Sequence, residues 1–251
     1  MELKDFLQET TFCDHSQSSI KTIVEDYKKK FSNEKDLAVA LFYFVRDKTH
    51  YRVGFWNKKA SETLAEGSGT CTNNSNLLVA MLRAAGIPAG YGIMKVHGKK
   101  YFGPIVPPRL KFFIGDKSVH IYCYVFLNNK WIKCDPSDDE PFATNTQHFN
   151  PQSRLLEWDG ESHSELNLCG EHIISDSEPI ANIDAVFRKK MKSYKTIPVK
   201  IANLYINFLR NRGQEFRNQP LAERNFSIWL KKHKPFYYLV FSILPFFNFY
   251  E

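Results

Sequence analysis

The segment from Gly67 to Tyr91, GSGTCTNNSNLLVAMLRAAGIPAGY, carries signals for where a helix must start and stop. Leu77, Leu78, Met81, Leu82 and Ala85 recur at i, i+1, i+4, i+5 and i+8, which is one face of an α-helix. Gly86 stands at the position after the helix end and Pro88 prevents continuation. The spacing predicts a helix of about four turns from Thr72 to Ala85, with Cys71 in its first turn behind a Gly-Ser-Gly turn. Two readings of that thiol compete. It is a small core hydrophobe, or it is a nucleophile at the positive end of the helix. Aligned peptide dipoles place about half a positive charge there. A thiol in that field, next to a protonated histidine, falls below its free pKa of about 8.5. The backbone N–H of Cys71 could also donate to an oxyanion, and small residues at 67 and 69 would let a substrate come close.

Helical spacing recurs at residues 19–31 (Ile20, Ile23, Val24, Tyr27, Phe31) and 35–47 (Leu37, Ala40, Leu41, Phe44). Strands are predicted at Gly90–Val96, Ser118–Leu127 and Lys130–Asp135, with the Pro- and Gly-rich YFGPIVPPRLKFFIGDK as a long excursion before the second. The run VHIYCYVFL is apolar or aromatic on both faces, as an interior strand would be. Asn128-Asn129 reads as a two-residue hairpin loop, because Asn tolerates positive φ. That loop pairs Leu127 with Lys130 and sets Asp135 opposite Tyr122, so Asp135 shares a face with His120 and lies diagonal to it. Diagonal neighbours are roughly 7–8 Å apart, within reach of an Asp and a His that lean together. A one-residue slip would put the carboxylate on the wrong face. Cys123 and Cys134 are then cross-strand neighbours on the opposite face, expected as free buried thiols because no further ligands appear at metal-site spacing.

The 251 residues suffice for one substantial core with an appendage. We expect a core over residues 1–150 and an extension over 151–251, loop-rich at first and then helical, packing on that core. Helical pattern is expected from about Ile183 through Leu209, broken near Pro198, and again around Leu221–Leu230. The N-terminus lacks a basic stretch followed by an apolar run, and five cysteines at irregular spacing do not form a disulfide framework, so the cytoplasm is the expected compartment. The net charge of +7 is concentrated between Arg188 and Lys234, which hold 13 Lys/Arg against two Asp/Glu. Such a segment suits an acidic protein partner, a phosphorylated surface or a membrane face, or is only a solvated helical face; no nucleic-acid-binding motif accompanies it, and no nucleic acid is expected as a partner. Pro235–Tyr250 is the most apolar stretch but is shorter than the roughly 20 residues a spanning helix needs. It is expected to pack on the core or another chain, with peripheral membrane contact as the alternative. His97, His148, His163 and His172 are expected at the surface.

The order of Cys71 opening a helix that runs into LRAAGIPAG, His120 within SVHIYCYV, and Asp135 within WIKCDPSDD resembles the transglutaminase-like superfamily of thiol enzymes, over about residues 35–140. DPS stands here where that family has a DPT-like motif. The resemblance implies an α+β, papain-like fold with the Cys helix packed on an antiparallel sheet. It implies Cys71 as nucleophile, His120 as general base and acid, and Asp135 as the residue that orients the imidazole. Trp56 is a candidate for oxyanion binding. The implied activity is acyl transfer from an amide, peptide or carrier-bound thioester through an acyl-thioester, to water or to an amine; some stand-alone bacterial relatives are thought to form amides in this way. The alternative is a non-catalytic binding module that keeps the fold. No cofactor or metal is expected, and the lack of a D-x-[DN]-x-[DN]-G pattern argues against a calcium-dependent crosslinking enzyme.

Overall fold

The computed structural model describes residues 2–103, 106–137, 139–149, 155–164, 170–189 and 196–244, the side chain of residue 102 excepted. Helices α1 (Ser18–Lys28), α2 (Glu34–Lys48) and α3 (Ala60–Glu66) lead to α4 (Cys71–Ala85). The two-residue strands β1 (His50–Tyr51) and β2 (Ser68–Gly69) pair in parallel just before it. The predicted helix thus gains one residue at its start, and Cys71 is its first.

Helix α4 is the axis of the core, since every residue from Cys71 to Arg83 is buried. Its apolar face packs with Leu41, Phe42 and Val45 of α2 and with Ile121 and Val125 of the sheet in one cluster. The polar run Thr72–Asn76 is buried as well, which its apolar spacing did not foretell. Buried polar groups need partners, and most here find them in separate segments, although Asn74 Oδ1 has none among the described residues. Asn73 Nδ2 donates to the Trp56 carbonyl (2.8 Å), Ser75 Oγ to that of Ile121 (2.9 Å), and Asn76 Nδ2 to that of Phe12 (2.9 Å). These bonds fix the helix start in place. At the far end Gly86 adopts φ 89°, and the N–H groups of Gly86 and Ile87 donate to Arg83 and Leu82 (3.0 and 2.9 Å). This is a Schellman stop, which needs a residue that tolerates the left-handed region.

The sheet has the order β5-β4-β3-β6 and is antiparallel throughout. It comprises β3 (Ala89–His97), β4 (Lys117–Leu127), β5 (Lys130–Cys134) and β6 (Ile173–Ser175). The α+β, papain-like arrangement implied by the sequence is the one observed. Asn128 and Asn129 have φ 50° and 60°, and Leu127 pairs with Lys130 and Cys123 with Cys134, as the hairpin register requires. Cys123 and Cys134 are buried and free. Strand β6 falls within a region that looked like loop, because three residues are too few to show a period. Between β3 and β4 lie α5 (Gly98–Phe102) and a 3-10 turn at Pro108–Phe113.

After β5 the chain forms α6 (Glu140–Thr146), α7 (Asp184–Phe187), α8 (Ile197–Arg212), α9 (Gln219–His233) and α10 (Pro235–Ile243). The break expected near Pro198 is present: α7 ends at Phe187 and a new helix, α8, starts at Ile197, with Pro198 at its beginning. The proline sits in the first turn of α8, where the missing N–H is not needed. Helices α8, α9 and α10 build a second cluster around Tyr205, Phe208, Phe226 and Phe241. Phe241 is fully buried, whereas Phe236, Leu239 and Ile243 on the same helix are 59–81% exposed. Residues 245–250 of the apolar stretch lie outside the described residues, as does Cys169. No described helix is long and apolar enough to cross a membrane. His172 corrects another expectation, being 8% exposed rather than on the surface.

Two polar clasps hold α8 to the segment that precedes the cysteine. Asn203 pairs with the backbone of Val53 in both directions, accepting from its N–H (2.9 Å) and donating to its carbonyl (2.8 Å). Arg210 Nη2 donates to the buried Asp139 (2.8 Å) and to the Tyr51 carbonyl (2.8 Å). Part of the basic charge near the C-terminus is therefore structural rather than free to attract a partner.

Candidate active site

The residue before the cysteine, Thr70, caps α4. Its Oγ1 accepts from Asn73 N–H (3.4 Å), and Asn73 Oδ1 accepts from Thr70 N–H (3.0 Å). This reciprocal capping box leaves Cys71 as the first helical residue, so its N–H is a donor the helix does not use. Gly69 is required for the close approach of strand to helix. A Cβ there would meet the Asn73 Cβ at 2.6 Å and Asn74 Oδ1 at 2.9 Å. The thiol is almost fully buried, 7% exposed, yet it borders a cavity that Trp56 also lines.

His120 lies on β4, the strand that packs against α4, and is 1% exposed. Asp135 follows β5 directly and is wholly buried. Asp135 Oδ1 accepts from the Ser137 N–H (3.1 Å) and from its hydroxyl. Its second oxygen, Oδ2, accepts from His120 Nε2–H at 2.6 Å. The carboxylate is thereby held at both oxygens, and it fixes the imidazole with Nδ1 turned away from the carboxylate. The diagonal placement anticipated from the hairpin register is realised as this hydrogen bond. The motif DPS contributes its serine as the brace of the aspartate.

The electrostatics follow from this geometry. Burial pushes the Cys71 thiol up, but the charge of His120, its hydrogen bond to the sulfur and the N–H of Ile121 reverse that, and the thiol lies below its ordinary value. For His120, burial favours the neutral ring. The charges of Asp135 and Cys71 and the hydrogen bonds from both outweigh it, holding the imidazole well above its usual range. A lowered thiol beside a raised imidazole is the condition for a thiolate–imidazolium pair at neutral pH. Cys13 shows the contrast: also buried, it has Arg83 and Tyr91 nearby but no imidazolium, and burial pushes its thiol up to about 11.

One site neighbour escaped the sequence reading. The Tyr101 hydroxyl lies 3.1 Å from His120 Nδ1 and its ring 5.5 Å from the imidazole. Tyr101 belongs to α5, inside the Pro- and Gly-rich excursion, where no strand register or helical period ties it to His120. No group of three or more potential metal ligands occurs among the described residues.

A cysteine opening a buried helix, packed against an antiparallel sheet that carries a His–Asp pair, defines a papain-like cysteine-enzyme fold. Residues 21–136 match the family model of the Transglutaminase-like superfamily. Cys71, His120 and Asp135 all lie within the matched span. Among solved structures, the chain resembles a protein from Cytophaga hutchinsonii provisionally named a cysteine protease, at 19% identity and a TM-score of 0.43. The similarity covers 54% of this chain and 42% of that one, so the chain spans less than half of that protein's length. No curated protein matches the chain by sequence.

Proposed function

We infer that the protein is a cysteine-dependent acyltransferase or amidase acting at amide or thioester bonds. The observation that carries this reading is the joining of three groups distant in sequence. Cys71 heads a helix, His120 is near enough for its charge to lower the thiol's pKa, and Asp135 anchors the far side of that ring at 2.6 Å. The Cys71 thiolate attacks the acyl carbonyl, forming a C–S bond, while the Cys71 N–H faces the developing oxyanion. The C–N or C–S bond to the leaving group breaks as that group takes the proton of the His120 imidazolium. Water or an amine then gives its proton to neutral His120 and attacks the acyl-thioester, which releases the acid or amide and regenerates the thiolate. Asp135 keeps Nε2–H engaged throughout, so proton exchange takes place at Nδ1.

Intact-mass spectrometry of wild type and Cys71→Ala after incubation with peptide amides and carrier-bound thioesters tests the reading. An acyl adduct on the wild type alone, discharged by added amine or by water, is the expected result. Failure of every acyl donor to label a thiol that iodoacetamide still alkylates would favour the binding-module alternative.

A further inference from the structure

The cavity beside Cys71 has a volume of about 280 Å³ and opens to solvent on one side. Val106 and Leu110 of the excursion, Val53 and Trp56 from the segment before the cysteine, and Val199 and Ala202 of α8 form its walls. The polar groups among the described lining residues, including the hydroxyls of Thr70, Thr72 and Ser118, are all uncharged. An ionised substituent would lose its hydration here without gaining a counter-charge, which costs far more than burying an apolar one. The extension takes part in this site directly: the Asn203–Val53 clasp brings α8 against the segment that forms the opposite wall.

The cavity also has a direction. Cys71 lines it, and neither His120 nor Asp135 does. The leaving group and the acceptor must meet the imidazole to exchange a proton, so they approach from the ring's side. The group left attached to sulfur then points the other way, into the cavity. Resting on the acyl-transfer reading above, we propose that the cavity is the acyl pocket. Its occupant is an uncharged apolar acyl chain or ring, and α8 of the C-terminal extension sets the length it accepts. An apolar cavity of about 150 Å³ holds a benzene ring, so this one takes roughly ten non-hydrogen atoms.

The test uses the full chain and acyl-N-acetylcysteamine thioesters from acetyl to dodecanoyl, with the rate of Cys71 acylation read by intact mass. Each buried methylene strengthens binding about fourfold, so the rate should climb with chain length, reach an octanoyl-to-acetyl ratio of at least ~100, and fall beyond about ten carbons. A thioester of similar length ending in a carboxylate should react at least ~100-fold more slowly than its methyl-ended counterpart. Val199→Trp and Ala202→Trp should each lower the octanoyl-to-acetyl ratio at least ~10-fold by filling the cavity. A ratio cancels any general loss of activity, and two variants guard against one that misfolds. Alkyl methanethiosulfonates, which place an alkyl chain on Cys71 as a disulfide without acyl chemistry, form the second arm. A length preference there, with no acylation by any thioester, would keep the pocket and refute the acyl-transfer reading. A flat length profile in both arms, or a ratio unchanged by both tryptophan variants, would overturn the pocket.

Discussion

His120 Nε2 and Asp135 Oδ2 lie 2.6 Å apart with both side chains shielded from water. A carboxylate there stabilises the imidazolium and keeps the ring from turning. Asp135→Asn retains an oxygen that can accept from Ser137 but removes the charge. Acylation of Cys71 is expected to slow by about 10²- to 10⁴-fold, the range associated with a lost acid–base function. Single-turnover acylation measures this, with an unchanged circular dichroism spectrum as the check on folding. A loss under tenfold would mean that Asp135 only braces the turn before Pro136.

Tyr101 competes with Cys71 for the same ring nitrogen. When His120 is neutral, the Tyr101 hydroxyl donates to Nδ1 and favours the uncharged ring; when it is protonated, the hydroxyl draws Nδ1–H away from the thiolate. Tyr101→Phe removes both effects, so the thiolate–imidazolium pair gains. A net hydrogen bond is worth about 0.5–1.5 kcal/mol, and one pKa unit is about 1.4 kcal/mol. The variant should therefore lower the midpoint for Cys71 alkylation by up to about one unit. An upward shift would show that Tyr101 supports the ion pair instead.

Arg210 ties the extension to the core through Asp139, which is 1% exposed and also accepts from the N–H groups of Tyr51 and Phe142 (both 2.8 Å). Arg210→Met leaves that carboxylate without its counter-charge. Breaking such a pair by removing one partner costs about 3–5 kcal/mol. A drop of that size in unfolding free energy, measured by urea titration, is expected. Because Tyr51 borders the cavity, acylation should also weaken more than reactivity toward iodoacetamide.

The site was more legible than the fold around it. Cys71 was placed by helix punctuation, since Gly69 and Gly86 have local steric reasons that sequence displays directly. His120 and Asp135 were placed by the hairpin, since Asn128 and Asn129 tolerate the positive φ of a two-residue loop and period-two alternation fixes the rest. Tyr101 was invisible because its contact with His120 depends on how an aperiodic excursion folds back. Strand β6 was missed for its shortness. The buried polar run Thr72–Asn76 shows a further limit. Its burial depends on carbonyls at Phe12, Trp56 and Ile121 that only the tertiary fold brings to it.

The most direct test of the thiolate–imidazolium pair is the rate of Cys71 alkylation by iodoacetamide as pH is varied, in wild type and in His120→Ala. Peptide mapping separates Cys71 from the other thiols. A group whose pKa is lowered stays ionised as pH falls until that lowered value is reached, so the wild-type midpoint should lie well below the free thiol value of about 8.5. In His120→Ala the raising effect of burial is unopposed by the imidazolium, and the midpoint should move to about 8.5 or above. A wild-type midpoint at or above 8.5, unchanged by removing His120, would contradict the account.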